Sequence, residues 1–181
     1  MKKIIISLLA VSLLLSGCAS AKWDKKDNNM PKEYSDQHEQ QLKDNQVKLD
    51  KEPNNFTWQF EKAFQLQALG RYEQAVEEYE KALEMAPDDF ATLNNLAAIY
   101  EEVEDIEKAL TYEQKLYNKN TTNIEVLKDT IRLLVKNKQF SDAQGVLDTF
   151  ARTEEGKKEG AFLSEEMTYL KGEEAKEQNK K

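Results

Sequence analysis

The sequence repeats itself with a fixed period of 34 residues, and this feature constrains the fold more than any other. Ala75 recurs as Ala109 and again as Ala143, and Pro53 recurs as Pro87, with the same step each time. A fixed period in the range of about 20–50 residues is typical of proteins built from stacked supersecondary units. One such unit cannot bury its own apolar face, so neighbouring units stack and share a continuous core.

The segment LGRYEQAVEEYEKALEMAPDD in the first copy resembles the tetratricopeptide repeat. The positions typical of that family are occupied by Gly70, Tyr72, Ala75, Tyr79, Ala82 and Pro87. The resemblance implies three helix pairs, over residues 56–89, 90–123 and 124–157. The predicted fold class is therefore all-α, a right-handed α-solenoid of about three helix pairs. In the first pair, the small side chains of Ala63 and Ala75 let helix A and helix B approach closely.

Two further helices are predicted to cap the ends of the repeats. Residues 34–50 place apolar side chains at helical spacing and are expected to pack against Trp58. Residues 161–177 carry a second apolar stripe, which follows a predicted loop at 153–160. The predicted repeat domain spans residues 34–181, and its charged end is expected to fray into solvent.

The turn between helices A and B contains Gly70 in the first copy. A positive φ is accessible to glycine because it has no Cβ atom. Glu104 and Lys138 occupy the equivalent places in the second and third copies. These two turns are therefore predicted to be strained, hydrated or differently shaped.

The first 17 residues have the features of an export signal. Two lysines precede an apolar run that is too short to span a membrane. The run ends with LSGC at residues 15–18, which resembles the lipobox of bacterial lipoproteins. This resemblance implies cleavage before Cys18 and a diacylglyceryl lipid on its sulfur. The residues that follow are polar, contain Pro31 and show no periodicity, so residues 18–33 are predicted to form a flexible tether. The alternative is an uncleaved anchor, or a general secretory signal with an incidental cysteine.

The charge of the chain disfavours two classes of partner. The sequence has 26 basic and 34 acidic residues, a net charge of −8, and without the signal the balance is 24 to 34, or −10. Nucleic acids require clustered basic residues, and anionic lipids attract them. We therefore expect membrane contact through the lipid alone. The predicted location is the outer leaflet of the cell membrane, or the outer membrane in a two-membrane cell.

Motifs typical of enzymes are missing from the sequence. It contains no Walker loop, no Gly-x-Gly-x-x-Gly segment and no Gly-x-Ser-x-Gly elbow. The single histidine, His38, has no metal-ligating residue spaced near it and is interpreted as a helix-surface or interface residue. We therefore expect no catalytic site, no metal, no small-molecule substrate and no cofactor apart from the lipid on Cys18.

A partner-binding groove is implied by the family resemblance, because helix A of each tetratricopeptide repeat lines the concave surface. Carried onto this sequence, the candidate groove residues are Phe60, Phe64, Asn94, Lys128 and Arg132. Two aromatic rings, an amide and two cations suit a protein or peptide with an apolar end and an acidic end.

Alternatives remain open for these groove residues. Phe60 and Phe64 would be hidden if they packed under the leading helix. Lys128 and Arg132 would carry little binding energy if they only paired with nearby acidic residues, Glu125 and Asp129. Two functions are consistent with the sequence: an envelope lipoprotein that acts as a protein-binding scaffold or assembly factor, and a passive structural subunit of secretion, pilus or cell-wall machinery.

Overall fold

The computed structural model describes residues 30–180, and in this range the chain is almost entirely helical. The predicted signal, the predicted lipidation site Cys18 and most of the predicted tether lie outside the described residues. The helices are α1 (Lys32–Lys51), α2 (Phe56–Ala68), α3 (Tyr72–Met85), α4 (Phe90–Glu102), α5 (Ile106–Lys119), α6 (Ile124–Lys136), α7 (Phe140–Ala151), α8 (Glu154–Lys158) and α9 (Gly160–Gln178). The predicted fold class, an all-α solenoid of helix pairs, is confirmed. Among these helices none is long and apolar enough to span a bilayer.

The helices begin in the 34-residue register that the sequence shows. Helices α2, α4 and α6 start at steps of 34 residues, and so do α3, α5 and α7. Asn55, Asp89 and Asn123 each accept a hydrogen bond from the backbone N–H of the third helical residue, at 3.3, 2.8 and 3.4 Å. A side-chain acceptor at this position satisfies one of the N–H groups that a helix start leaves unpaired.

The three turns between paired helices share one backbone conformation. Gly70, Glu104 and Lys138 have φ values of 69°, 61° and 60°. In each turn the residue after the positive φ donates its N–H to a carbonyl five residues back, at 2.8–2.9 Å. This pattern is the Schellman motif. Of the three possibilities for the non-glycine turns, the structure shows strain, because a Cβ in the left-handed region is crowded by the backbone.

The chain divides after Pro87 into two compact units. In the first unit, α2 packs against both α1 and α3. Ala63 of α2 and Ala75 of α3 are fully buried. Lys48 of the leading helix lies over the ring of Trp58, with its Nζ 4.0 Å from the ring centroid. The leading helix thus contacts Trp58 as predicted.

The second unit contains the pairs α4–α5 and α6–α7, followed by α8 and α9. Helix α5 packs against α6, and α9 packs against α6 and α7. One buried cluster includes Ile131, Leu147 and Leu170, and another joins Phe150 to Phe162 in an edge-to-face ring contact. The C-terminal helix therefore covers the apolar face of the third pair.

Two local expectations at the C-terminal end were wrong. The predicted loop at 153–160 contains α8, which Thr153 caps by accepting a hydrogen bond from the N–H of Gly156 at 2.9 Å. Gly156 is buried so tightly that a Cβ would lie 2.0 Å from the carbonyl oxygen of Phe150. Beyond this point, α9 spans Gly160–Gln178, close to the predicted capping helix at 161–177, and the charged segment after Gly172 is helical instead of frayed.

Candidate functional site

The two candidate phenylalanines differ in their surroundings. Phe60 of α2 is half-buried and packs edge-to-face on Tyr79 of α3, with ring centroids 5.5 Å apart. It also stacks on Phe56 at 6.1 Å. Phe64, one turn further along α2, keeps 43% of its surface exposed. Phe60 therefore serves the packing of α2 on α3, whereas Phe64 presents apolar surface to solvent.

His38 lies in the interface between α1 and α2, one of the two places expected for it. It is 9% exposed, and its Nδ1 lies 2.5 Å from Oε1 of Gln65. The ring of Tyr34 packs beside it, with centroids 4.2 Å apart. Within residues 30–180 no group of histidine, cysteine or acidic side chains is arranged to hold a metal ion.

A buried polar cluster in the first unit was not identified from the sequence. Gln59 is 5% exposed and donates hydrogen bonds to the carbonyl oxygen and the Oε2 of Glu78, at 3.1 and 2.5 Å. Lys62 and Lys81 pair with the same carboxylate at 3.0 and 2.9 Å. Burial raises the pKa of Glu78, but these cations and the Gln59 amide outweigh it and hold the pKa below its usual value.

The candidate groove residues of the second unit lie on α4 and α6. Asn94 of α4 is exposed. Lys128 of α6 lies 3.7 Å from Oε1 of Glu125, and its Nζ is 5.8 Å from the ring centroid of Phe162 on α9. Its side chain is still 46% exposed. Lys128 therefore has a weak local partner and remains accessible to an anion.

Arg132 is held more firmly. Its guanidinium is hydrogen-bonded to Glu101 of α4 and, at 2.9 Å, to Asp129 one turn back on α6. Lys136 joins the same Glu101 carboxylate. The Asp129 pair was an open alternative from the sequence, but the Glu101 pair was missed because 31 residues separate the partners.

These ion pairs change the pKa values of Glu101 and Arg132. Burial raises the pKa of Glu101, but hydrogen bonds from Arg132 and Lys136 outweigh it and leave this pKa below its usual value. The bond to Glu101 in turn raises the pKa of Arg132 above its usual range. Arg132 therefore stays charged, and the cluster joins α4 to α6 through partly exposed charges.

A second buried carboxyl group, Glu113 of α5, lies near this cluster. It is 3% exposed, and its Oε1 is 3.2 Å from the hydroxyl of Thr130 on α6. Burial raises the pKa of Glu113 to about 7, and the negative charge of Asp129 adds to the effect. Comparison of the repeats would have singled it out, because the equivalent positions hold Tyr79 and Leu147.

Each unit also contains a surface groove between helices that are not consecutive. In the second unit a groove of about 690 Å³ lies between α5 and α7, with Leu110 and Val146 among its apolar lining residues and Thr111 and Ser141 among its polar ones. In the first unit a groove of about 380 Å³ lies between α1 and α3. Both volumes are within the range of sites for small ligands or side chains.

A comparison with protein families gives one match. Residues 56–119 match the family model described as tetratricopeptide repeat, which corresponds to helices α2 to α5. The matched segment is about a third of the chain and contains candidate residues Phe60, Phe64 and Asn94. Among curated proteins, none matches this sequence.

Proposed function

Because residues 56–119 match the tetratricopeptide repeat family, whose members generally mediate protein–protein interaction, we propose that this chain is an envelope lipoprotein that binds a protein or peptide partner. The observation that carries the proposal is the match of two helix pairs, in register, to a family of non-catalytic interaction repeats. We place the protein at the outer face of a membrane, held by a diacylglyceryl lipid on Cys18. In this proposal it is a scaffold or assembly factor and has no catalytic activity.

The exposed side chains of helices A support a binding role. Phe64 of α2 is 43% exposed, and Asn94 of α4 is also exposed. A large exposed aromatic ring supplies apolar contact area, and an exposed amide can bind a peptide backbone. Both residues belong to the candidate groove set.

The cations of α6 add selectivity for acidic partners. The side chains of Lys128 and Lys136 are 46% and 48% exposed, and each is paired with a carboxylate of the protein itself. A carboxylate from a partner can replace Glu125 at Lys128 with little desolvation cost, since that pair is exposed and held only at 3.7 Å. Such rim charges mainly raise the association rate and orient the partner.

The test is capture of partners from solubilised membranes by Phe64→Ala and by a matched control. Phe64→Ala is expected to lower recovery of wild-type partners by at least about tenfold, because a hot-spot aromatic contributes about 2 kcal/mol or more. Val47→Ala is the control, since Val47 is 52% exposed and belongs to α1 of the same unit. Equal recovery by the two variants would contradict the proposal.

A wash at high salt separates this function from that of a passive structural subunit. A scaffold with a transient partner is expected to lose it, because salt screens the exposed cations of α6. A structural subunit is expected to retain one partner through the wash, in a constant ratio to the protein itself. This result, together with unchanged recovery of the partner by Phe64→Ala, would favour the structural subunit.

A further inference from the structure

Glu113 places a carboxyl group where the other repeats bury apolar side chains. It lies 34 residues after Tyr79 and 34 residues before Leu147. Glu113 is 3% exposed, Tyr79 is 0% exposed and Leu147 is 1% exposed. Its only hydrogen-bond partner in the part of the chain that the structure describes is Thr130. An ionised carboxylate in such a site is strongly unfavourable, because water is removed and no cation is bound in exchange.

The contacts of Thr130 indicate which form of Glu113 the site accommodates. The Thr130 hydroxyl lies 2.8 Å from the carbonyl oxygen of Val126 and 3.2 Å from Oε1 of Glu113. A hydroxyl has one proton to donate. If that proton goes to Val126, a neutral Glu113 donates its own O–H to Thr130, and every group is satisfied. An ionised Glu113 competes with Val126 for the single proton.

The charged groups around Glu113 come from both helices that pack against α5. Asp129 and Arg132 face it from α6, and Glu101 faces it from α4. The two carboxylates disfavour ionisation of Glu113, and the guanidinium favours it. Arg132 is already bound to both of these carboxylates, so its attraction for Glu113 is largely compensated. Burial and these charges together raise the pKa of Glu113 to about 7.

We propose that Glu113 and Thr130 form a proton-dependent latch between α5 and α6, and that this latch regulates the partner site on α6. With Glu113 neutral, the hydrogen bonds from Glu113 through Thr130 to Val126 hold the two helices together. When Glu113 ionises, the carboxylate moves toward water and toward Arg132. Arg132 is then drawn from its present partners, and α6 loosens. The regulatory role rests on the proposed function, since it requires partner binding at α6.

The sign of the pH dependence follows from the raised pKa. In the unfolded or opened chain Glu113 titrates near its ordinary value of 4.5, and in the packed state near about 7. The packed state therefore binds more protons between these values, and packing is most favourable below pH 4.5 for this group. The stabilisation from neutral Glu113 is lost as the pH rises from 4.5 to about 7.

Hydrogen exchange of the full chain in detergent micelles tests the latch without a partner. After correction for the intrinsic rate, backbone opening of α5 and α6 in the wild type is expected to be about thirtyfold more frequent at pH 8.5 than at pH 5.5. Glu113→Gln carries no ionisable group and is expected to show no such increase. Glu113→Leu introduces the side chain that the third repeat has at this position. Its backbone opening is likewise expected not to change with pH.

The matched control is Glu107→Gln on the same helix, because Glu107 is exposed. It is expected to keep the pH dependence of the wild type. The Nε–H signal of Arg132 in nuclear magnetic resonance spectra is expected to shift with pH in the wild type but not in Glu113→Gln. A wild type without the increase, or a Glu113→Gln variant that retains it, would overturn the latch. Neither result depends on partner capture, which tests the proposed function. Failure of the latch can therefore be distinguished from failure of the proposed function.

Discussion

The residue at the left-handed position of each A/B turn shows how one backbone conformation tolerates different side chains. Gly70 adopts it without strain, whereas Glu104 and Lys138 adopt the same φ with a Cβ atom. A non-glycine residue in this region costs roughly 1–2 kcal/mol. The strain persists because the hydrogen bonds and the helix pairing on both sides determine the turn.

We predict that Glu104→Gly stabilises the protein by about 0.5–1 kcal/mol. The substitution removes the strain, and the larger entropy of glycine in the unfolded chain offsets part of the gain. Urea unfolding measures the change. Lys138→Gly is the comparison, and it should gain less because Lys138 also pairs with Glu177 at 2.6 Å. A loss of stability in Glu104→Gly would mean that its side chain makes a contribution larger than the strain.

At the level of helices, α9 has the clearest structural role. Its polar residues outnumber its apolar ones, but Phe162 and Leu170 are 9% and 2% exposed. These side chains complete buried clusters formed by α6 and α7. A terminal helix of this kind removes from water the apolar face that a further repeat would otherwise cover.

We predict that Leu170→Ala destabilises the protein by about 2–4 kcal/mol, because it leaves a cavity in a packed cluster. The neighbouring Tyr169→Ala is the control, since Tyr169 is 40% exposed. Its effect should be below about 1 kcal/mol. Thermal unfolding of the two variants side by side measures both. Equal shifts in melting temperature would argue against a covering role for α9.

For the molecule as a whole, the proposed membrane attachment depends on one atom, the sulfur of Cys18. This is the single cysteine of the sequence. One acyl chain gives only marginal membrane binding, whereas two chains give stable anchoring. A diacylglyceryl group on Cys18 is therefore sufficient to hold a chain whose net charge does not favour anionic lipid.

We predict that Cys18→Ser abolishes incorporation of a radiolabelled fatty acid, because no other thiol is present to accept the lipid. The variant should accumulate as an unprocessed precursor or in a soluble form. Ser16→Ala is a suitable control, since it alters the neighbouring sequence and keeps the thiol. Label that persists in Cys18→Ser would contradict the lipoprotein assignment.

The positions of the paired helices could be predicted from the sequence. The contacts between side chains of different helices could not. The 34-residue period gives the starts of α2 to α7, because Asn or Asp caps each helix A and an alanine (Ala75, Ala109 or Ala143) recurs in each helix B. The exposed Asn94 was likewise identified from its place in the repeat. These features are set by residues close together in the sequence, so they can be recognised before the tertiary contacts are known.

Packing between helices that are distant in sequence decided the ion-pair partners, the pKa of Glu113 and the burial of individual side chains. Arg132 binds Glu101 across 31 residues, and Glu113 acquires its pKa of about 7 from the burial and charges that α4 and α6 impose on it. Phe60 and Phe64 lie one turn apart on α2, yet Phe60 packs on Tyr79 of α3 whereas Phe64 stays 43% exposed. Burial, dielectric environment and ion pairing are properties of surroundings that assemble only when the helices pack.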